Sequence, residues 1–220
     1  MEFVKEFATF LHEKNIIKFG DFTLASGKKS QYYIDLRLVA SYPHEFRKMV
    51  KQLQNKISDE IGFENFHSLV SVPTGGLVVA SSLATEIVKP LIYVRNKPKE
   101  HGTSQSIEGV ICQDMKLLMI DDVATTGDSV VNAIKILKKS GLKITDAFVI
   151  IDRSEGDAIT ALKAEGVKLH SLVDIEQIIN NLNNNDIDFT DGADYYPNQI
   201  SSIFIDGKNS YGLDIICLEF

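Results

Sequence analysis

The sequence predicts an α/β fold in which a central, mostly parallel sheet is flanked by helices on both faces. Strand-like and helix-like segments alternate between residues 68 and 182, and this order is typical of parallel sheets connected by crossover helices. Residues 117–120 are apolar at every position, as expected of a strand that is buried on both sides.

The N-terminal part is predicted to contain two helices separated by two extended segments. Phe3, Phe7, Phe10 and Leu11 share one face of a helix. A second amphipathic pattern begins just after Pro43, a residue that is favoured in the first turn of a helix. In chain order, the predicted elements are a helix over 2–14, extended segments over 19–24 and 31–37, and a helix over 44–61.

The rest of the predicted fold alternates apolar strands with helices, and two segments interrupt the alternation. The predicted strands are 68–72, 91–95, 116–122, 146–152 and 167–172, and the predicted helices are 77–88, 128–140, 157–165 and 174–182. Residues 96–115 are too polar for an obvious strand or helix, and a loop of this length is usually a lid, a binding loop or disordered. In the tail after Asn180, residues 202–220 could form a hairpin.

Composition and charge exclude several classes of protein. The 220 residues suffice for one domain with a sizeable core, and 23 basic against 30 acidic residues give a net charge of −7. That balance argues against a broad basic face for nucleic acid. The acidic N-terminus is unlike a signal peptide, and Pro73 interrupts the longest uncharged stretch, residues 68–85. We therefore expect a cytoplasmic protein with neither a membrane nor a nucleic-acid partner.

The strongest chemical signal is the junction that follows residues 117–120. Asp121 and Asp122 end the predicted strand, and residues 125–129 form a short turn before the next helix. Unpaired N–H groups at a helix N-terminus attract phosphate, aided by the helix dipole. Gly127 lets an anion approach the backbone closely. The hydroxyl side chains of the turn can add donors, namely Thr125, Thr126 and Ser129.

The acid pair suggests a second role for this junction. Ligands of open parallel sheets lie beyond the carboxyl ends of the strands, and successive side chains of a strand point to opposite faces. At least one of Asp121 and Asp122 can therefore reach ribose hydroxyls or a hydrated Mg²⁺. The alternative is a strand end followed by an ordinary helix N-cap. The sequence has neither G-x-x-x-x-G-K-[ST] nor G-x-G-x-x-G, so triphosphatase and dinucleotide-binding functions lack their motifs.

Residues 117–129 resemble the phosphoribosyl pyrophosphate (PRPP) signature of type I phosphoribosyltransferases. The resemblance implies that family's fold with a small N-terminal hood, and transfer of ribose-5-phosphate from PRPP to a base with Mg²⁺. It implies that the PRPP-binding residues here are Asp121, Asp122, Val123, Ala124, Thr125, Thr126, Gly127, Asp128 and Ser129. The resemblance implies that Mg²⁺ binds together with PRPP. If the protein contacts the ion, it does so through Asp121 and Asp122. The implied division is a hood at 1–42, a core at 43–180 and a tail without an assigned role at 181–220.

Other segments resemble the orotate phosphoribosyltransferase family, in that family's order. Residues 19–37 are similar to its hood segment, 71–76 to its pyrophosphate loop, 93–102 to its mobile catalytic loop and 152–156 to its orotate-contacting segment. The resemblance implies that the pyrophosphate is gripped or covered by Arg95, Lys99 and His101, and that orotate is contacted by Thr125 and Arg153. It implies that Lys99, His101, Asp121 and Asp122 are catalytic. It further implies a homodimer with shared active sites, in pyrimidine biosynthesis.

Some positions depart from that family's usual pattern, and two other functions stay open. Ala25, Asn96 and the pair Thr74-Gly75 each lose a possible positive charge or phosphate contact. One alternative is a phosphoribosyltransferase for another base, such as a purine. The second is a non-catalytic, PRPP-sensing regulator that binds nucleic acid, although the net negative charge argues against it. For Arg153 alone, the simpler alternative is an exposed ion pair with Glu155.

Overall fold

The computed structural model describes residues 2–23, 27, 29–95, 106–154 and 157–183. Within these ranges the helices are α1 (Glu2–Glu13), α2 (Pro43–Glu60), α3 (Gly75–Glu86), α4 (Asp128–Lys139), α5 (Asp157–Ala164) and α6 (Ile175–Asn183). The strands are β1 (Ile17–Thr23), β2 (Lys29–Ile34), β3 (Ser68–Ser71), β4 (Leu91–Val94), β5 (Ile107–Glu108), β6 (Lys116–Ala124), β7 (Lys143–Asp152) and β8 (Lys168–Asp174). Two 3₁₀ helices, Leu36–Ser41 and Phe63–Asn65, flank α2.

Six strands form one sheet in the order β5-β4-β3-β6-β7-β8. Neighbouring strands from β4 to β8 run parallel, and the short β5 runs antiparallel to β4. The register places Val70 of β3 beside Met119 of β6, and Ile120 of β6 beside Phe148 of β7. The α/β fold class with a mostly parallel central sheet is therefore confirmed.

Helices cover both faces of this sheet, as the side chains of β6 illustrate. Leu118 and Ile120 are buried in a core that they share with α1, α2, α3 and α6. Leu117 and Met119 are buried in a second core, which they share with α4 and α5. Because side chains alternate along a strand, a strand between two cores is apolar at successive positions. This arrangement explains the uninterrupted apolar run in the sequence.

The chain changes direction across the sheet between β3 and β6, which are neighbours. After β3 the chain continues to β4 on one side, and after β6 it continues to β7 on the other. The connections that leave two such strands diverge, and they open a crevice at the carboxyl ends, where ligands of this type of sheet bind. Residues 72–74 after β3 and residues 125–127 after β6 border this crevice.

The N-terminal hairpin packs on the core that contains α1 and α2. β1 and β2 pair antiparallel, and Ile17 of β1 and Ile34 of β2 are buried in that core. The predicted extended segment 31–37 is wrong at its last two residues, which belong to the 3₁₀ helix. The physical reason is local: the Asp35 side chain accepts the backbone N–H of Arg37 at 3.2 Å and so starts the turn.

Further boundaries differ from the predictions. β1 begins two residues and β7 three residues before the predicted starts, and β6 continues to Ala124, two residues past its predicted end at Asp122. α3 begins at Gly75, two residues earlier than its apolar pattern suggests. β5 (Ile107–Glu108) lies inside a segment for which the sequence predicts no strand. Pairing with β4 defines this strand, and the Arg95 N–H extends the pairing by donating to the carbonyl of Ser106 at 2.8 Å.

Other predictions concern the ends of the chain. The hairpin predicted at 202–220 lies outside the described residues. The division into a hood at 1–42, a core and a tail stays a prediction. None of the helices in the described ranges has both the length and the apolar composition that crossing a membrane requires.

Candidate functional site

Asp121 and Asp122 lie near the carboxyl end of β6, beside the crevice. Asp121 is buried, with 8% of its surface exposed, and Asp122 is half-buried. Asp121 Oδ1 accepts the N–H of Asp122, and Asp122 Oδ1 accepts the N–H of Val123, each at 3.0 Å. Burial raises the pKa of Asp121 well above its ordinary value, and the charge of Asp122 raises it further. A cation or a hydroxyl donor would stabilise this pair of acids.

The connection between β3 and α3 lies directly against the acid pair. A Cβ atom on Gly75 would stand 1.8 Å from Oδ2 of Asp122. A Cβ atom on Gly76 would stand 2.3 Å from Oδ1 of Asp121 and 2.8 Å from its Cα. A side chain at either position would require an aspartate to move. The two glycines therefore allow the first turn of α3 to contact the acid pair, a role beyond that of a plain helix-entry turn.

The turn between β6 and α4 presents a helix N-terminus without a side-chain cap. Gly127 occupies the N-cap position with a φ of +80°, in the left-handed region that favours glycine. No side-chain hydrogen bond caps α4; the Thr126 hydroxyl instead donates to Oδ2 of Asp128 at 2.7 Å. The alternative of an ordinary side-chain N-cap is therefore wrong for this helix. Its first backbone N–H groups are available to an anion.

A cavity of about 340 Å³ borders this turn. Its lining includes Asp121 and residues 125–129, together with Ala158 and Leu162 of α5. A Cβ atom on Gly127 would stand 3.0 Å from Cδ1 of Leu162, so α5 packs closely behind the turn. The cavity is thus bordered by the turn at the N-terminus of α4 and by the more buried of the two acids.

Arg153 connects the end of β7 to the N-terminal hairpin. Its guanidinium lies over the ring of Tyr32 at 4.4 Å, and its Nη2 donates to the Ser30 hydroxyl at 3.0 Å. Arg153 is only 8% exposed, which is inconsistent with the alternative of an exposed ion pair. Its Nε has no hydrogen-bond partner among the described residues. A buried guanidinium with a free N–H favours an acceptor of negative charge, such as a carboxylate.

The predicted basic loop begins at Arg95, the residue that follows β4. Nη1 of Arg95 donates to Oε1 of Glu108 at 3.0 Å, across the pairing of β4 and β5. Arg95 therefore lies at the carboxyl edge of the sheet, one strand from β3. Lys99 and His101, the predicted catalytic residues of this loop, lie outside the described residues.

The structure gathers the described candidates at the carboxyl ends of four adjacent strands, β4, β3, β6 and β7. They are Arg95, Asp121, Asp122, Val123, Ala124, Thr125, Thr126, Gly127, Asp128, Ser129 and Arg153. Sequence reasoning missed the contacts of Arg153 with Ser30 and Tyr32, because no local pattern links residues more than a hundred positions apart. It also missed the steric role of Gly75 and Gly76. The signal for that role is a glycine pair that follows a strand expected beside the acid pair.

Comparison with known proteins agrees with this architecture. Residues 42–184 match the family model of the phosphoribosyl transferase domain. The chain is 50% identical to an orotate phosphoribosyltransferase of Cenarchaeum symbiosum over 182 residues, which span 83% of this chain and 90% of that protein. It is 40% identical to an orotate phosphoribosyltransferase of Pyrococcus furiosus over 174 residues, 79% of this chain and 94% of that protein.

A solved structure extends the similarity to three dimensions. The crystal structure of orotate phosphoribosyltransferase from Aeropyrum pernix superimposes with a TM-score of 0.71 at 33% identity, and covers 80% of this chain and 97% of that one. The resemblance found in the sequence is confirmed. The chain belongs to the orotate phosphoribosyltransferase family, within the type I phosphoribosyltransferases.

Proposed function

We propose that this protein transfers ribose-5-phosphate from PRPP to orotate and releases orotidine 5′-monophosphate and pyrophosphate, a reaction of pyrimidine biosynthesis. The observation that carries the proposal is the open N-terminus of α4 beside Asp121 and Asp122, at the crevice between β3 and β6. The family membership of the chain supports orotate as the base.

The 5′-phosphate of PRPP binds at residues 125–129. Backbone N–H groups and the dipole of α4 attract the phosphate there, and Thr125, Thr126 and Ser129 add hydroxyl donors. The ribose hydroxyls donate to Asp121 and Asp122. Burial raises the pKa of Asp121 and so disfavours its ionised form. Hydroxyl donors or a cation offset that cost, because they stabilise the negative charge that burial penalises.

Mg²⁺ fits the donor set of this site. Carboxylate oxygens are ligands that Mg²⁺ prefers, and the ion commonly retains waters and substrate phosphate oxygens. The described residues contain no cluster of three or more metal-ligating side chains, so this part of the chain supplies at most the acid pair. Asp121 and Asp122 would hold the ion, directly or through water, and the ion would neutralise charge on the pyrophosphate.

Arg153 binds the carboxylate of orotate. Its free Nε–H and its planar guanidinium suit bidentate pairing with a carboxylate. Tyr32 and Ser30 fix the guanidinium from the side of the hairpin, so little rotamer entropy is lost when orotate binds. Thr125 contacts the base from the carboxyl end of the neighbouring strand, β6.

The reaction needs no covalent enzyme intermediate. The bond between C1′ and the pyrophosphate oxygen breaks, the bond between C1′ and N1 of orotate forms, and positive charge develops on the ribose in between. The N1–H bond of orotate also breaks, and its proton passes to the leaving pyrophosphate or to solvent. Arg95, Lys99 and His101 stabilise the leaving pyrophosphate. Closure of their loop over the site excludes water, which would otherwise hydrolyse the ribosyl centre.

Initial rates with PRPP and a panel of bases test the proposal. We expect turnover of orotate and none of hypoxanthine, xanthine or uracil. Turnover of a purine without turnover of orotate would overturn the choice of base. Salt-sensitive binding of nucleic acid without release of pyrophosphate would indicate the regulatory alternative instead.

We further propose that the protein is a homodimer in which the loop of one subunit serves the site of its partner. Leu38 and Val78 support a self-association surface, since both are apolar and exposed on two elements that pack together near the site. Mixing Lys99→Ala and Asp122→Asn proteins tests this arrangement. Hybrid dimers regain one intact site, so the mixture recovers roughly a quarter of wild-type activity. No recovery after subunit exchange would mean that each loop serves its own subunit.

A further inference from the structure

The connection between β3 and α3 contributes no basic side chain of its own to the crevice. It consists of Val72, Pro73, Thr74 and the glycines that contact the acid pair. Beside it stand two carboxyl groups, Asp121 and Asp122. A diphosphate placed there would meet negative charge on one side and a neutral loop on the other, which is unfavourable without a fixed cation.

Arg37 lies on an element that contacts α3, the helix that this connection enters. It is the second residue of the 3₁₀ helix Leu36–Ser41, which packs against both α3 and β6. These elements bear the β3–α3 glycines and the acid pair. The Arg37 side chain is 57% exposed, so an anion in solution can reach it.

Asp35 holds the Arg37 guanidinium in a fixed orientation. Oδ1 of Asp35 accepts Nε–H of Arg37, and Oδ2 accepts Nη2–H, each at 2.6 Å. The same Oδ1 accepts the Arg37 backbone N–H at 3.2 Å. A guanidinium has five N–H donors, and the bidentate contact uses two of them. The other N–H groups, on Nη1 and Nη2, have no partner among the described residues, and the contact with Asp35 fixes their orientation.

The charges around Arg37 are consistent with a position beside the acid pair. Asp35, through its hydrogen bonds and its charge, raises the pKa of Arg37, and the more distant charge of Asp122 adds to this effect. Arg37 therefore stays a cation at neutral pH. Its partner Asp35 is only 19% exposed at the side chain, which limits solvent competition for the clamp.

We propose that Arg37 binds the diphosphate of PRPP, and the pyrophosphate product, beside the acid pair, and that Asp35 is the positioning residue that orients it. This inference rests on the proposed function and adds a binding residue to it. Arg37 supplies from the N-terminal segment the cation that the β3–α3 connection lacks.

Steady-state kinetics in both directions test the inference. Arg37→Gln should raise KM for PRPP, and KM for pyrophosphate in the reverse reaction, by about tenfold to a hundredfold, as expected for loss of charge-assisted hydrogen bonds. KM for orotate should change less than about threefold. Arg37→Lys should restore part of the affinity, because it keeps the charge but loses the fork. Asp35→Asn should shift the same two KM values in the same direction, by less.

Arg47→Gln is the matched control, since Arg47 is exposed on α2 and lines a groove between α1 and α2. It removes the same charge from the protein and should leave all KM values unchanged. An unchanged KM for PRPP and pyrophosphate in Arg37→Gln, or an equal rise in KM for orotate, would overturn the inference. So would a loss of thermal stability alone, which would identify the Asp35–Arg37 pair as a purely structural clamp.

The same experiments distinguish failure of the inference from failure of the proposed function. A wild-type protein without turnover of orotate and PRPP would refute the proposed function. An active wild type with unaffected Arg37 variants would refute only the role of Arg37. If Arg37→Gln does not fold, Arg37→Lys decides: its KM for pyrophosphate must rise while its melting temperature stays at the wild-type value, and any other result contradicts the inference.

Discussion

Replacing Gly75 by alanine is expected to reduce catalysis without unfolding the protein. The new Cβ would stand 1.8 Å from Oδ2 of Asp122, so the carboxylate must retreat by about 1.6 Å to reach the 3.4 Å of ordinary van der Waals contact. A displacement of roughly 1 Å at a reacting group can cost about a hundredfold in rate, which corresponds to about 2.7 kcal/mol of transition-state stabilisation. We therefore expect kcat/KM for PRPP to fall about a hundredfold.

The stability of the same variant should change little. The atoms that the Gly75 Cβ would meet belong to a half-buried side chain that can rotate, and alanine is favoured over glycine in a helix by about 0.5–1 kcal/mol. Gly76→Ala should behave differently, because its Cβ would stand 2.8 Å from the Cα of Asp121. Backbone cannot move aside as a side chain does, so Gly76→Ala should also lower the free energy of unfolding by about 1–3 kcal/mol.

Initial-rate kinetics and urea denaturation separate these effects. Ser81→Ala, at an exposed position of α3, is the control for a change of helix propensity alone and should keep full activity. The double variant Gly75→Ala with Asp122→Ala should be no less active than Asp122→Ala alone, because both changes act on one carboxylate. Wild-type kcat/KM in Gly75→Ala, or additive losses in the double variant, would refute the steric argument.

Three other changes test the remaining parts of the site. The pKa of Asp121 is raised in the folded state, so its contribution to stability is present below the unfolded pKa and is lost as pH rises through the folded pKa. The melting temperature of Asp121→Asn should therefore exceed that of the wild type at pH 8. A melting temperature at or below the wild-type value would contradict this. Arg153→Lys should raise KM for orotate about tenfold or more while KM for PRPP stays within about twofold; a shift confined to KM for PRPP would reassign Arg153. Gly127→Ala should lower the free energy of unfolding in urea by about 1–2 kcal/mol, since the φ of Gly127 is +80° and a Cβ there would lie 3.0 Å from Cδ1 of Leu162 in α5. An unchanged urea midpoint would show that the turn tolerates a side chain.

The parts of the fold that the sequence predicts are those dictated by local periodicity. β6 is buried on both faces, so residues 117–120 are apolar without interruption, and the alternation of strands and helices implies a parallel sheet. The turn between β6 and α4 is also predictable from a local pattern. A strand, an acid pair, a glycine and a helix follow one another within residues 117–129. The geometry of a helix N-terminus then exposes backbone N–H groups that attract an anion.

The features that the sequence does not predict depend on contacts between residues that are far apart along the chain. Ser30 and Tyr32 meet Arg153 only because the hairpin packs on the sheet. β5 (Ile107–Glu108) is a strand because β4 pairs with it. Two residues are too few to show the alternating pattern of a strand in the sequence. The contact of Gly75 with the acid pair likewise follows from β3 and β6 being neighbours.

A crystal structure with orotidine 5′-monophosphate bound tests most directly the central claim, that the N-terminus of α4 binds the 5′-phosphate. The account predicts phosphate oxygens within hydrogen-bond distance of the backbone N–H groups of residues 126–129, ribose hydroxyls at Asp121 and Asp122, and the base carboxylate at Arg153. A nucleotide bound elsewhere, with no phosphate at the N-terminus of α4, would contradict it.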